Sequence, residues 1–421
     1  MTRSLAEWLQ LQESVHARSI DLGLERVATV ARSLALLSPG YHIVTVAGTN
    51  GKGSTVAYLD AFLRAAGYRT GSLTSPHLLR YNERIHVDGK EAQDAALVSA
   101  FERIEQARQA SGTTLTFFEY NTLAALLLFA QQRVDVAVLE VGLGGRLDAT
   151  NVVDADVAVL CSIGFDHRDW LGDTLEAIGT EKAGIMRTGR PVVLGAQEMP
   201  ASVFATIERL HALPVIAGRD FFWDVTPDFW TYRGLRMTLA PLPPPALAGA
   251  IQFRNAATAL AALESLPQAR PIAVAAASAA LRDVRLYGRF QIIPGEVEWI
   301  LDVAHNEPAA QVLAENLRAR PRTGKVYAVC GILSDKDVPA IGEALAAQID
   351  VWILCALPGP RGSTAQELAQ RLAANVAAPV TTDSVVAGCE LARARARSGD
   401  RVVVFGSFVT VGSALQWLGL Y

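Results

Sequence analysis

The sequence predicts an α/β protein, with a larger domain on a mainly parallel sheet and a smaller doubly wound domain at the C-terminal end. Three features carry that expectation. β-Branched runs alternate with longer amphipathic stretches from residue 41 to about 218; an apolar run passes through a glycine-rich turn into a helical period over 42–66; and a second alternation begins after Gly288.

In chain order, the first strand falls at 42–47 and the helix after it at 54–66, where Val56, Leu59, Phe62 and Leu63 recur at helical spacing. A helix at 120–132 and strands at 134–141, 155–163 and 191–195 follow. Between Arg219 and Gly249 the pattern breaks into short aromatic segments and then Pro241-Leu242-Pro243-Pro244-Pro245, which helix interiors and central strands exclude because proline lacks the amide donor. A small β excursion and a loop are expected there. Helices at 255–266, entered through Arg254-Asn255, and at 272–284 lead to a boundary near 285–296. Beyond it lie strands at 299–303, 326–330, 351–355 and 401–405, with helices at 309–318, 339–347, 364–374 and 384–396.

Composition excludes several classes. The 421 residues are 51% hydrophobic, and 38 basic residues against 42 acidic ones give a net charge of −4, with no signal for nucleic acid or for a polybasic membrane patch. Glu7, Gln10, Gln12 and Glu13 interrupt any secretory core near the start, and the longest charge-free apolar run, 271–281, is too short to cross a bilayer. A cytoplasmic protein is expected. Cys161, Cys330, Cys355 and Cys389 are widely spread and read as buried reduced thiols.

The chemistry begins at Gly48-Thr49-Asn50-Gly51-Lys52-Gly53-Ser54-Thr55. It is shorter than the usual phosphate loop, yet it joins a strand to a helix, and there backbone amides attract phosphate, glycines let it approach and Lys52 can reach the terminal phosphates. Bound ATP needs a divalent cation with hard oxygen ligands. Glu140 ends an apolar strand, where a buried carboxylate needs a partner. Asp166-His167 follows another strand end, which favours a ligand role for His167. Lys182, by itself, reads as a solvated helix lysine.

These segments, together with residues 20–26, Ser75-Pro76-His77-Leu78, Asn82-Glu83-Arg84-Ile85, residues 117–119 and 140–151, Glu181-Lys182-Ala183-Gly184, Gly288-Arg289-Phe290 and Asp302-Val303-Ala304-His305-Asn306, resemble the Mur ligase superfamily and, within it, the folylpolyglutamate synthase family. The likeness covers essentially the whole chain. It implies a P-loop ATPase domain of the Mur ligase central type at 1–287 and a Rossmann-like C-terminal domain at 288–421. It implies an ATP- and magnesium-dependent ligase that joins L-glutamate to dihydropteroate and to reduced folates through an acyl phosphate; a monomer is expected separately, because the sequence shows no obvious coiled coil or exposed apolar helix. Gly51, Lys52, Gly53 and Ser54 would hold the triphosphate, with Ser54 also near the metal. Ser75, Glu140 and His167 would ligate magnesium, and Lys182 would be the carbamylated lysine. Asn255, Arg289 and Asp302 match ATP-contacting positions, and His305 matches the glutamate or nucleotide side. Ile20, Asp21 and Leu22, then Thr116, Phe117, Phe118 and Glu119, then Leu147, Asp148 and Ala149, would receive the pterin.

Two departures stand out. Val303 and Glu307 replace the glycine and proline that relatives often carry in the C-terminal motif, and Ser54 replaces the commoner threonine. Rival readings are weaker. Asp169-Trp170-Leu171-Gly172 matches a GTPase switch motif, but no guanine signature accompanies it, and the 47 residues before Gly48 leave no room for a UDP-sugar domain.

Overall fold

The computed structural model describes residues 3–17 and 20–421; Met1, Thr2, Arg18 and Ser19 lie outside the described residues. The chain forms two compact units. The first takes Met1–Gly164, Trp170–Ala246 and Phe253–Val284, and the second takes Phe165–Asp169, Leu247–Gln252 and Arg285–Tyr421.

The first unit is built on strands β1 (His42–Ala47), β2 (Thr70–Leu73), β3 (Ile85–Val87), β4 (Lys90–Glu91), β5 (Val136–Glu140), β6 (Val157–Leu160), β7 (Pro191–Leu194) and β8 (Leu213–Ile216). They form one sheet in the order β4-β3-β2-β5-β1-β6-β7-β8, parallel from β2 to β8 and antiparallel at the β3 and β4 edge. β5 and β6 are buried at every position, as strands covered on both faces must be, which is why they read as unbroken apolar runs. The runs extend past the strands because Val134 stays buried just before β5, and Val141 and Cys161 stay buried just after β5 and β6. β1 sits where the chain order reverses, with β5 on one side and β6 on the other; in open α/β sheets a ligand crevice opens beyond the strand ends at such a point.

Helix Phe117–Gln132 starts three residues before the predicted position. Thr116 and Glu119 form a capping box, a signal the aromatic pair masks, and every residue from Glu119 to Phe129 is buried. Its Leu123, Leu126 and Phe129 join Phe101, Ile104, Leu73 and Leu139 in one core cluster, while a second gathers Ala47, Leu160, Val192, Val203 and Ile207. The β excursion is a three-stranded antiparallel sheet, β9 (Phe222–Val225), β10 (Trp230–Arg233) and β11 (Thr238–Leu242). Buried Glu264 ties it down, accepting from the Tyr232 hydroxyl at 2.6 Å and from the amides of Arg236 and Met237 at 2.8 Å. Glu264 lies on the helix Ile251–Ser265, which begins before Arg254-Asn255. Asn255 imitates a helix cap in sequence; in the fold it is an interior helical residue, only 3% exposed.

The second unit carries β12 (Gln291–Ile293), β13 (Glu298–Asp302), β14 (Val326–Cys330), β15 (Val351–Cys355), β16 (Val380–Thr382) and β17 (Arg401–Phe405), in the order β12-β13-β17-β14-β15-β16. Only β12 runs antiparallel to its neighbour. Ile300, Leu313, Ala328, Ile341, Leu354, Leu368, Val403 and Phe405 fill its core. The four cysteines are free and buried. Among the described residues, no helix is long and apolar enough to cross a membrane.

Candidate active site

In the first unit, four neighbouring parallel strands deliver chemical groups at their carboxyl ends. Register places Glu140 beside Val46, Leu160 beside Ala47 and Leu73 beside Leu139. The segment after β2, Glu140 itself, the glycine loop and the turn after β6 therefore converge.

Close packing and hydrogen bonds hold the loop. Gly51 caps the helix Lys52–Ala65 at φ +87°, a left-handed conformation that glycine adopts without strain, and a Cβ there would lie 3.0 Å from Asn255 Oδ1. Gly48, at φ +150°, packs so closely on Cys161 and the Ser162 amide that a Cβ would meet them at 3.0–3.2 Å. Ser162 Oγ donates to the Asn50 carbonyl at 3.0 Å, and Thr49 bonds to Gly164. Buried Ser54 stands in the first helical turn, where the amides and the helix dipole favour an anion. Lys52 Nζ folds back onto the carbonyls of Gly48 and Thr49 at 3.0 and 3.2 Å.

Lys182, read from sequence as solvated, is instead 5% exposed and donates to the same Gly48 carbonyl at 3.1 Å. The segment after Glu140 places it there. Gly145 lies so close to the helix Leu175–Ala183 that a Cβ would sit 2.8 Å from the Glu181 carbonyl oxygen, and Arg146 pairs with Glu181 at 2.8 Å.

Glu140 is 4% exposed and accepts from the Ser75 amide at 3.1 Å, so these two expected metal ligands do meet. Carboxylate and hydroxyl oxygens are hard donors, the kind a magnesium-type ion takes. Glu83 shapes the neighbouring loop by accepting from the amides of Leu78, Leu79 and Arg80.

The three segments expected at the pterin also come together. Arg26 bridges Asp21 at 2.8 Å and Glu119 at 3.2 Å, and the turn Ala149–Val152 packs on the helices Glu25–Ser33 and Phe117–Gln132. Ile20, Leu22, Phe117, Phe118 and Leu147 are half-buried. The Phe118 ring presses on Gly142, where a Cβ would come within 2.8 Å of it. Asp148 accepts from the amides of Gly142, Leu143 and Thr150 and from the Thr150 hydroxyl, so its carboxylate organises its own loop. Burial raises its pKa, against those bonds.

In the second unit, the ends of β13, β17 and β14 adjoin. Half-buried Asp302 accepts from the amides of Phe290 and Ala304 at 2.8 Å; burial pushes its pKa up while Arg289 opposes. The Arg289 guanidinium lies 5.3 Å from the Phe408 ring centroid. Asp166 is the hub that sequence reasoning left without a role. It accepts from Lys336 Nζ at 2.6 Å and Asn306 Nδ2 at 2.9 Å, and both His305 and His167 approach it, at 3.6 and 3.8 Å. Burial works against its charge, but the hydrogen bond from His305 and the charges of Lys336 and the histidines hold it well below the usual carboxylate range. His305 Nδ1 bonds to the Val303 carbonyl at 2.8 Å, which turns Nε2 toward Asp166. Asn306 Oδ1 caps the helix Glu307–Ala319, so the residue after it, Glu307, starts that helix. Lys336 carries no sequence signal.

Residues 46–194 match the Mur ligase middle domain and residues 288–408 match the Mur ligase, glutamate ligase domain. The dihydrofolate synthase/folylpolyglutamate synthase of Escherichia coli K12 is 44% identical over 416 residues, covering 98% of this chain and 95% of its own. The chain belongs to the dihydrofolate synthase/folylpolyglutamate synthase family of Mur ligases.

Solved members of this family superpose closely. The E. coli enzyme in complex with DHPP and ADP has a TM-score of 0.93 at 44% identity, covering 99% of this chain and 98% of its own. A bifunctional folylpolyglutamate synthase/dihydrofolate synthase with Mn, AMPPNP and L-glutamate bound has a TM-score of 0.91 at 42% identity, covering 100% of this chain and 99% of its own. As a member of the family the chain is an ATP-dependent ligase that works with a divalent metal on small-molecule substrates. Family membership sets aside the GTPase reading of Asp169-Trp170-Leu171-Gly172.

Proposed function

We infer that this ligase joins L-glutamate to dihydropteroate, giving dihydrofolate, and to the glutamyl tail of reduced folates, giving folylpolyglutamates. A carboxylate does not acylate an amine at neutral pH. The γ-phosphoryl of ATP therefore passes to the acceptor carboxylate, and the amino group of L-glutamate displaces phosphate from the acyl phosphate. Phosphoryl transfer of this loose kind asks for positioning and charge neutralisation more than for covalent help.

The observation that carries the reading is the convergence of the glycine loop, Lys182, Glu140 and Ser75 on adjacent strand ends. In this reading the amides of Gly51, Gly53 and Ser54 and the Lys52 ammonium bind the triphosphate, with Asn255, Arg289 and Asp302 as further ATP contacts. Ser54, Ser75, Glu140 and His167 hold magnesium, which supplies charge neutralisation at the phosphates. Lys182 acts as a carbamate, which explains a buried lysine beside a phosphate site. Ile20–Leu22, Thr116–Glu119 and Leu147–Ala149 form the pterin side, and His305 serves the glutamate side. Residues 1–287 and 288–421 act as the two functional domains of a cytoplasmic monomer that needs neither nucleic acid nor membrane.

Purified protein with Mg–ATP and L-glutamate should release phosphate when dihydropteroate or tetrahydrofolate is added; no release with either would sink the reading. Glu140→Ala should abolish metal-dependent turnover, and an unchanged rate would remove Glu140 from the metal site.

A further inference from the structure

Arg84 is a buried cation whose donors are not all used. It precedes β3 and is 8% exposed. Its Nε donates to His77 Nδ1 at 2.7 Å. The guanidinium carbon lies 5.3 Å from the Phe117 ring centroid and 5.7 Å from that of Tyr81. Among the described residues no acceptor meets its two terminal nitrogens. Of the two carboxylates in its electrostatic reach, Glu83 serves three loop amides and Glu140 takes the Ser75 amide.

A guanidinium presents a planar fork that matches a carboxylate in two parallel hydrogen bonds. Phe117 stands on the pterin side of the proposed site and Glu140 on its phosphate side. A folate-type acceptor reaching from one to the other ends in a carboxylate.

We infer that Arg84 binds the carboxylate of the acceptor, holding the group that is phosphorylated between the Phe117 ring and the Glu140 end of β5. The assignment deepens the ligase reading and rests on it. His77 fixes Arg84 through Nε, so the terminal nitrogens stay aimed at the acceptor. One carboxylate oxygen attacks the γ-phosphorus; the new O–P bond forms as the bond to the β–γ bridging oxygen breaks, and that electron pair leaves with ADP. No proton moves in this step.

The test is a binding comparison. Pteroate and the same molecule lacking its carboxylate are titrated, with a non-hydrolysable ATP analogue present, into the wild-type chain and into Arg84→Gln. Wild type should prefer pteroate by roughly 10- to 100-fold, the range of charge-assisted hydrogen bonds, and Arg84→Gln should erase that preference. Equal weakening of both ligands would mean that Arg84 only packs, and would overturn the assignment. Should Arg84→Gln fail to fold, Arg84→Lys takes its place, because lysine keeps the charge without the fork; its preference should fall several-fold, and one unchanged from wild type overturns the assignment. If wild type binds neither ligand, the ligase reading fails and the assignment with it. If wild type prefers pteroate and Arg84→Gln prefers it equally, only the role of Arg84 fails.

Discussion

Lys52 and Lys182 share one acceptor, the carbonyl oxygen of Gly48. Two ammonium groups on one oxygen repel each other, and carbamylation of Lys182 would relieve the repulsion by reversing one charge while leaving an N–H to donate. Lys182→Ala should therefore cripple turnover and recover part of it with a small added carboxylate; full activity of the mutant would refute the carbamate role. Gly51→Ala should cost about 1–2 kcal/mol through the left-handed backbone and push its Cβ against Asn255, weakening nucleotide binding. Thermal melts and titration of a fluorescent ATP analogue would report the two effects separately. At this scale the sequence shows Lys52 and Glu140 clearly, because their positions at strand ends are local. It does not show Lys336, whose partner Asp166 is 170 residues away, nor that Asp148 spends its carboxylate on its own loop.

Among the elements, the helices Asp94–Ser111 and Phe117–Gln132 are joined by polar groups inside an apolar interface. Glu105 accepts from Arg108, Gln109 and the Tyr120 hydroxyl. Burial raises its pKa, but those hydrogen bonds outweigh it and set the carboxyl at about 2. A folded pKa below the unfolded value of about 4.3 makes the contribution stabilising above that value, and it is lost as pH falls from there toward the folded one. Glu105→Gln should lower stability at neutral pH by about 2 kcal/mol and flatten the acid limb of denaturant midpoint against pH between roughly pH 5 and 2. An unchanged acid limb would remove Glu105 from that role. Element identity was legible wherever apolar period and length agreed, as in β1 and the helix Lys52–Ala65. Starts were less legible, since the cap of Phe117–Gln132 hides before two aromatics and Asn255 imitates a cap inside a helix.

Across the whole molecule, the second unit depends on a segment that precedes most of its own sequence. Phe165–Asp169 belongs to it, and Asp166 supplies the carboxylate for Lys336, which is 5% exposed. Asp166→Ala in the full chain should destabilise this unit by about 3 kcal/mol, the cost of stripping a buried charge of its nearer partner and leaving it only Asp335 at 4.0 Å, and adding Lys336→Met should recover most of it. Denaturant titration followed by the fluorescence of Trp299, Trp352 and Trp417, all in this unit, would measure both changes. No periodicity could reveal this membership, because the strand pattern around residue 166 points to the first unit; only the fold brings Asp166 to Lys336. The interleaving has a consequence for recombination. A chimera that joins two relatives at a single crossover near residue 287 would inherit Asp166 from one parent and Lys336 from the other, so the parents must agree at both positions, or the residue 165–169 segment must travel with the C-terminal cassette.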